Sequence, residues 1–295
     1  MNPAAPPVLE RYRPAVERAL LRVVPAPGGP LQRVHDAMAY SLEAGGKRLR
    51  PTLCLATCEA VGGAPEQGES AAAALELIHT YSLIHDDLPC MDDDDLRRGR
   101  ATNHRVFGEA LAVLAGDALL TRAFEVLAED TRLPAEIRVE MVTALARAAG
   151  SLGMVGGQAL DLAAEETAVE LSGLREIHSR KTGALFGASC RLGALAGRGP
   201  ADAVTDLAAF GERIGLAFQI VDDLLDETAS AEVLGKAAGK DRDRGKATYP
   251  SLLGMEESRR HLDQVFEDAQ RMLVRFGSRA EPLAELARFV VERSS

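Results

Sequence analysis

The chain has 295 residues, 46% of them apolar, which is enough to bury a large core and too many for a disordered chain. Aromatics supply only 4% and Trp is absent, while Ala and Leu recur throughout, a balance that favours helices over sheets. The net charge is −10, nearly all of it carried by two short aspartate clusters, and no basic stripe is present, so a nucleic-acid partner is not expected.

The first seven or so residues are expected to fray. An amphipathic helix is predicted over about 9–24, broken by VPAPGGP. A second helix runs to about Ala44, where Gly45-Gly46 ends it. A third starts near Lys47, tolerates Pro51 in its first turn and stops at Gly62-Gly63. A fourth spans about 65–88, and a polar, irregular stretch follows to about Phe107. Helices are then predicted over about 108–130, 135–165, 170–196 and 201–227, with Pro134 and Pro200 marking starts. A Gly- and Lys-rich loop covers about 228–248, and two or three shorter helices finish the chain. No strand pattern stands out and no linker divides the chain, so a single all-α domain over 1–295 is expected.

The opening segment MNPAAPPVLERYRP lacks the apolar heart of a signal sequence, and no apolar run is long enough to span a membrane. With only Cys54, Cys58, Cys90 and Cys190, a cytoplasmic protein with free thiols is expected. Cys54 and Cys58 lie four apart on a predicted helix. No nearby His or second Cys pair completes a zinc site, so they read as core thiols.

Two apolar helices each end in aspartates. In the second cluster, Asp222 and Asp226 are four apart and share a helix face, where like charges repel, so helix stability does not explain them. The run before them, IGLAFQIV, is almost wholly apolar, and carboxylates at the end of a buried helix need a counter-charge. Hard oxygen donors without His or Cys point to Mg²⁺, with Mn²⁺ as the alternative. The first cluster is DDLPCMDDDD, residues 86–95. Asp86 and Asp92 would not share a face of an ideal helix. Pro89 between them breaks the helix, so a local bulge is expected to swing Asp92 back toward Asp86 and Asp87. Taken alone this cluster could equally be a solvated acidic loop; its repetition argues for a site.

Carboxylates do not bind a diphosphate directly, so metal ions must bridge the two and basic residues must hold the remaining oxygens. The sequence offers three sets: Lys47 and Arg50 in GGKRLRP, Arg97 and Arg98 in LRRGR, and Lys236, Lys240 and Lys246 in the Gly-rich loop. That loop is either a lid over bound diphosphate or a plain connector.

These residues resemble the trans-prenyltransferases. The segment IHTYSLIHDDLPCMDDDDLRRGRATNH is similar to their first aspartate-rich region. GGKRLRP, RKTGALF, FQIVDDLLD, LGKAAGKD and RGKATYPSLLG follow the same order, and the likeness extends over about 30–275, strongest to bacterial farnesyl diphosphate synthases. The resemblance implies a helical bundle around a deep apolar cavity and three Mg²⁺ ions on an allylic diphosphate. Asp86 and Asp92 would bind metal from one side and Asp222 from the other, with Asp87 and Asp226 assisting. Arg97, Lys181 and Lys236 would hold the allylic diphosphate. Lys47, Arg50, His79 and Arg98 would hold isopentenyl diphosphate, while Thr182 and Gln219 match positions near the developing carbocation. Lys246 also falls in a matching motif. A homodimer, isoprenoid diphosphate substrates and a farnesyl product are implied. Without the resemblance His79 would read as a core His, and His85 reads as structural.

Tyr81 lies five residues before Asp86, about 7.5 Å along the helix. It could be the floor that stops a growing chain, with small Ser82 beside it, or an ordinary core aromatic. A geranylgeranyl product is the nearest alternative. A non-catalytic partner subunit should have lost one Asp cluster, and a terpene cyclase should carry a different second metal motif. GSLGMVGGQALDL, residues 150–162, has no strand before it and reads as close helix packing, not as a dinucleotide loop.

Overall fold

A computed structural model describes residues 6–24, 28–165, 167, 169–232 and 247–292. The helices are α1 (Pro7–Val23), α2 (Gln32–Leu42), α3 (Leu49–Ala60), α4 (Glu69–Asp86), α5 (Asn103–Phe107), α6 (Glu109–Glu129), α7 (Ala135–Ala149), α8 (Met154–Ala164), α9 (Leu171–His178), α10 (Ala184–Ala196), α11 (Ala201–Glu232), α12 (Tyr249–Leu253), α13 (Met255–Leu273) and α14 (Glu281–Glu292). α11 runs on to Glu232, so the first residues of the loop expected over about 228–248 are helical, and 233–246, with Lys236, Lys240 and Lys246, lie outside the described residues.

One cluster of buried apolar side chains runs from Val8 to Val290. α4 and α10 sit deepest, because their Ala- and Leu-rich sequences carry small or apolar residues on nearly every face. α10 packs against α3, α7, α4 and α11, and α4 packs against α6. Glu69, the first residue of α4, is buried and receives Arg18 at 3.1 Å and Arg22 at 2.8 Å, which pins α1 across the bundle.

Three further differences from the sequence expectation each have a local reason. The helix expected over 135–165 is two, because the backbone leaves helical geometry at Gly150 and Gly153. The helix expected over 170–196 contains a π turn, Ser179–Gly183, whose extra residue per turn shifts the register of Lys181 and Thr182. The polar stretch after Asp95 holds a small antiparallel hairpin, Leu96–Arg97 with Arg100–Ala101. Its two-residue loop has positive φ at both Arg98 (53°) and Gly99 (76°), the backbone that matches hairpin twist. Glycine adopts this readily. Arg98 does so while its guanidinium donates to the Gly45 carbonyl and fills the space that a side chain on Gly46 would occupy. The hairpin is thereby docked on the turn that precedes α3.

Candidate active site

Two adjoining chambers lie between α4, α8 and α11. The polar one, about 250 Å³, is lined by Asp92 and Asp94 on one side and by Gln219 and Asp223 on the other, with Asp161, His178 and Lys181 between. The apolar one, about 520 Å³, runs beside α4 from Asp86 past Ser82, Tyr81 and His79, and is walled by Met154, Val155, Gln158 and Leu162 of α8. Lys181 lines both, so it stands at their junction.

The first cluster is folded back as its proline required. The N–H of Asp92 donates to the Asp86 carbonyl at 2.8 Å, which sets the two residues side by side. Burial pushes the Asp86 carboxyl up to about 6, Lys181 opposes this and Asp92 adds to it. Asp87 faces elsewhere. Its Oδ1 accepts Arg97 Nε at 2.7 Å and Nη2 at 2.6 Å, so Asp87 orients Arg97. In the second cluster Asp222 is half-buried and its charge acts on Arg50, Asp226 is exposed, and Asp223 is buried against α12.

The cationic residues divide in the same way. Lys181 donates to Asp161 Oδ2 at 2.6 Å, and its backbone lies so close to Gly157 that a side chain there would meet Lys181 N at 2.2 Å. Thr182 donates to Gln219 Oε1 at 2.5 Å, joining the π turn to α11. On the other side, Arg50 stacks 4.9 Å over Phe186 and its buried Nε has no hydrogen-bond partner. Burial lowers Arg50 to about 10, partly offset by Glu76 and Asp222, so it remains charged at neutral pH. Lys47 is exposed above Phe289. Burial and the neighbouring Arg50 and Arg98 hold His79 neutral. An unpartnered buried guanidinium N–H beside a neutral His and Arg98 is a pocket shaped for an anion.

Among the described residues no three carboxylates, imidazoles or thiols converge closely enough to cage an ion by themselves. The donors that the structure sets side by side, Asp86 and Asp92, are carboxylates, and Mg²⁺ often takes one or two carboxylates and completes its shell with water and substrate phosphate oxygens.

The polyprenyl synthetase family model matches residues 31–274, a span that contains every element of both chambers. The chain belongs to the polyprenyl synthetase family. As a polyprenyl synthetase it is a prenyltransferase of the trans type. It is similar to a farnesyl diphosphate synthase of Geobacillus stearothermophilus, 48% identical over 287 residues, 97% of this chain and 96% of that one. Similarity to geranylgeranyl pyrophosphate synthase 7, chloroplastic, of Arabidopsis thaliana is of the same order: 50% over 267 residues, 89% of this chain and 77% of the relative. Among solved structures, an FPP/GFPP synthase from Zymomonas mobilis superposes with a TM-score of 0.85 at 43% identity, covering 96% of this polyprenyl synthetase and 97% of that chain.

Asp161 and Gln158 were not singled out in the sequence, although both sit in the GGQALDL segment. Asp161 pairs with Lys181, and Gln158 has a buried, unpartnered Oε1 beside the apolar chamber. Their spacing of three places them on one helix face, a signal masked by the glycines around them. His178, buried with an unpartnered Nδ1, sits one turn before Lys181 and was also missed.

Proposed function

We propose that this chain is a Mg²⁺-dependent farnesyl diphosphate synthase that joins isopentenyl diphosphate first to dimethylallyl and then to geranyl diphosphate. The observation that carries the product assignment is Tyr81, a buried ring lining the apolar chamber about a turn and a half of helix from Asp86. A chain growing away from the aspartates along α4 meets that ring.

Asp86 and Asp92 from one wall and Asp222 and Asp226 from the other would hold three Mg²⁺ ions, with Mn²⁺ as a substitute. When bound, the ions neutralise the charge on the departing diphosphate. Asp87 contributes by fixing Arg97. Arg97 and Lys181 grip the allylic diphosphate, and Lys47, Arg50, His79 and Arg98 grip that of isopentenyl diphosphate. The allylic C–O bond breaks, and the double bond of isopentenyl diphosphate adds to the carbon left behind. A proton then leaves the new cation for the released diphosphate. Because Thr182 donates to Gln219, its lone pairs are left for the positive charge that forms beside it. The apolar walls keep water from that cation.

The alternative product is geranylgeranyl diphosphate, since relatives of either name are equally similar. A homodimer fits the apolar residues that α6 and α8 leave exposed outside the chamber, Leu114 and Leu160. Among the described residues no helix is long and apolar enough to cross a membrane.

Incubation with Mg²⁺, isopentenyl diphosphate and each allylic starter, followed by sizing of the products, tests this reading. Fifteen-carbon product that disappears with a chelator and returns with Mg²⁺ is expected. A twenty-carbon main product overturns the farnesyl assignment, and full activity in excess chelator overturns the metal assignment.

A further inference from the structure

Glu76 lies one turn before His79 on α4 and is 3% exposed. Its Oε1 accepts Arg48 Nη1 at 2.6 Å. Arg48 is itself buried and uses every edge of its guanidinium: Nη2 donates to the Leu42 carbonyl at 2.6 Å and Nε to Glu17 at 3.2 Å. The Arg48 backbone has φ 50° and ψ 37°, a left-handed conformation that non-glycine residues seldom adopt. Arg48 stands between Lys47 and Arg50 and forms the entry to α3, so this turn sets how both neighbours leave the chain.

The charge of Glu76 reaches further than Arg48. It is the leading favourable influence on Arg50 and on Arg98, the two guanidinium groups that burial weakens. Arg48 holds the carboxylate directly, and Arg50 and Arg98, from two separate segments, lie within reach of its charge. Arginine does not relieve crowding by giving up its proton at neutral pH. Without Glu76 the three cations would repel one another in a region where water screens poorly.

We propose that Glu76 and Arg48 are positioning residues for the isopentenyl diphosphate pocket, Glu76 as the resident counter-anion that keeps Arg50 and Arg98 together while the pocket is empty and Arg48 as the tie that fixes the turn carrying Lys47 and Arg50. This rests on the prenyltransferase reading of the site. It deepens that reading by separating the two diphosphate pockets, since Arg97 and Lys181 have carboxylates of their own in Asp87 and Asp161.

Steady-state kinetics of Glu76→Gln decides the matter, with isopentenyl diphosphate and geranyl diphosphate varied in turn. The KM for isopentenyl diphosphate should rise roughly tenfold while that for geranyl diphosphate stays within about twofold, the pattern of lost ground-state binding at one pocket only. Glu76→Asp, which keeps the charge, should recover most of the loss. Arg48→Lys, which keeps its charge but loses the fork to Glu76 and Leu42, should show the same split at roughly half the size on a logarithmic scale. Melting curves and far-ultraviolet spectra accompany each variant. Folded variants whose two KM values are unchanged, or rise together, overturn the proposal. So does loss of fold in both Glu76→Gln and Arg48→Lys, which would make the pair a structural staple. Failure of the unmodified protein to condense the two substrates overturns the functional reading itself, and is seen before any variant is made.

Discussion

The backbone N–H of Tyr249 donates a 2.8 Å hydrogen bond to Oδ2 of Asp223. Asp223 thus ties α11 to the start of α12, while its neighbour Asp222 remains half-buried toward Arg50. Two consecutive aspartates with the same chemistry have different tasks because successive helical residues point about 100° apart.

Substituting the two separately should divide stability from turnover. Asp223→Ala strands a buried N–H and should lower unfolding free energy by about 1–3 kcal/mol. Asp222→Ala should leave the melting temperature nearly unchanged and lower kcat by about a hundredfold or more. Calorimetry beside product assays distinguishes them, and equal losses of activity with no change in melting would contradict this division.

Tyr81 sets the depth of the apolar chamber in this reading. Tyr81→Ala should move the main product from fifteen carbons to twenty or more without abolishing activity. Chromatography of dephosphorylated products gives the answer, and a mutant that still stops at fifteen carbons places the floor elsewhere.

The floor has a prop. The Tyr81 ring meets His85 edge-on, with centroids 5.7 Å apart, and His85 Nε2 lies 3.1 Å from the Val113 carbonyl on α6. A methyl on Gly116 would sit 2.1 Å from that nitrogen, so Gly116→Ala must displace the His85 ring that rests against Tyr81. The variant should lose about 1–3 kcal/mol of stability from overpacking and make a larger share of ten-carbon product. An unchanged product mixture with normal stability would show that His85 yields without disturbing the floor.

Two imidazoles, His178 buried and His79 half-buried, make stability depend on pH. Burial and the surrounding arginines hold His79 well below 6.5, and burial holds His178 down to about 4. Both stay neutral in the folded chain, while the unfolded chain takes up protons below about 6.5. Their contribution is therefore complete above that value and is lost as pH falls, at about 1.4 kcal/mol per pH unit for each group. Asp86, raised to about 6, acts in the opposite sense over part of this window. The informative quantity is the difference between parent and His79→Gln in urea unfolding at about pH 7.5 and about pH 5.5. The variant should lose less stability on acidification, by about 1 kcal/mol; parallel losses would count against a neutral His79.

The sequence made the helices and the first cluster legible because their signals are local. Apolar periodicity placed α4 and α11 next to their aspartates, and Pro89 announced the fold-back that the Asp92–Asp86 hydrogen bond completes. The partners of the charged groups were hidden. Nothing near Asp87, at the end of α4, shows that it serves Arg97 of the hairpin, and nothing near Lys181 points to Asp161 on another helix. The π turn was equally invisible, since one extra residue per turn leaves no mark in a window of small and polar residues. Local patterning reports which face is buried; pairing between charges depends on contacts between distant segments.

The docking of Arg98 on Gly45 joins positions 53 residues apart. During synthesis this part of the basic wall and the first acidic turn can therefore assemble once the hairpin has emerged, whereas Asp222 arrives more than a hundred residues later. The other basic side chains finish later: Arg50 stacks on Phe186 and Lys47 lies over Phe289, so their packing is complete only once the last helix has been made.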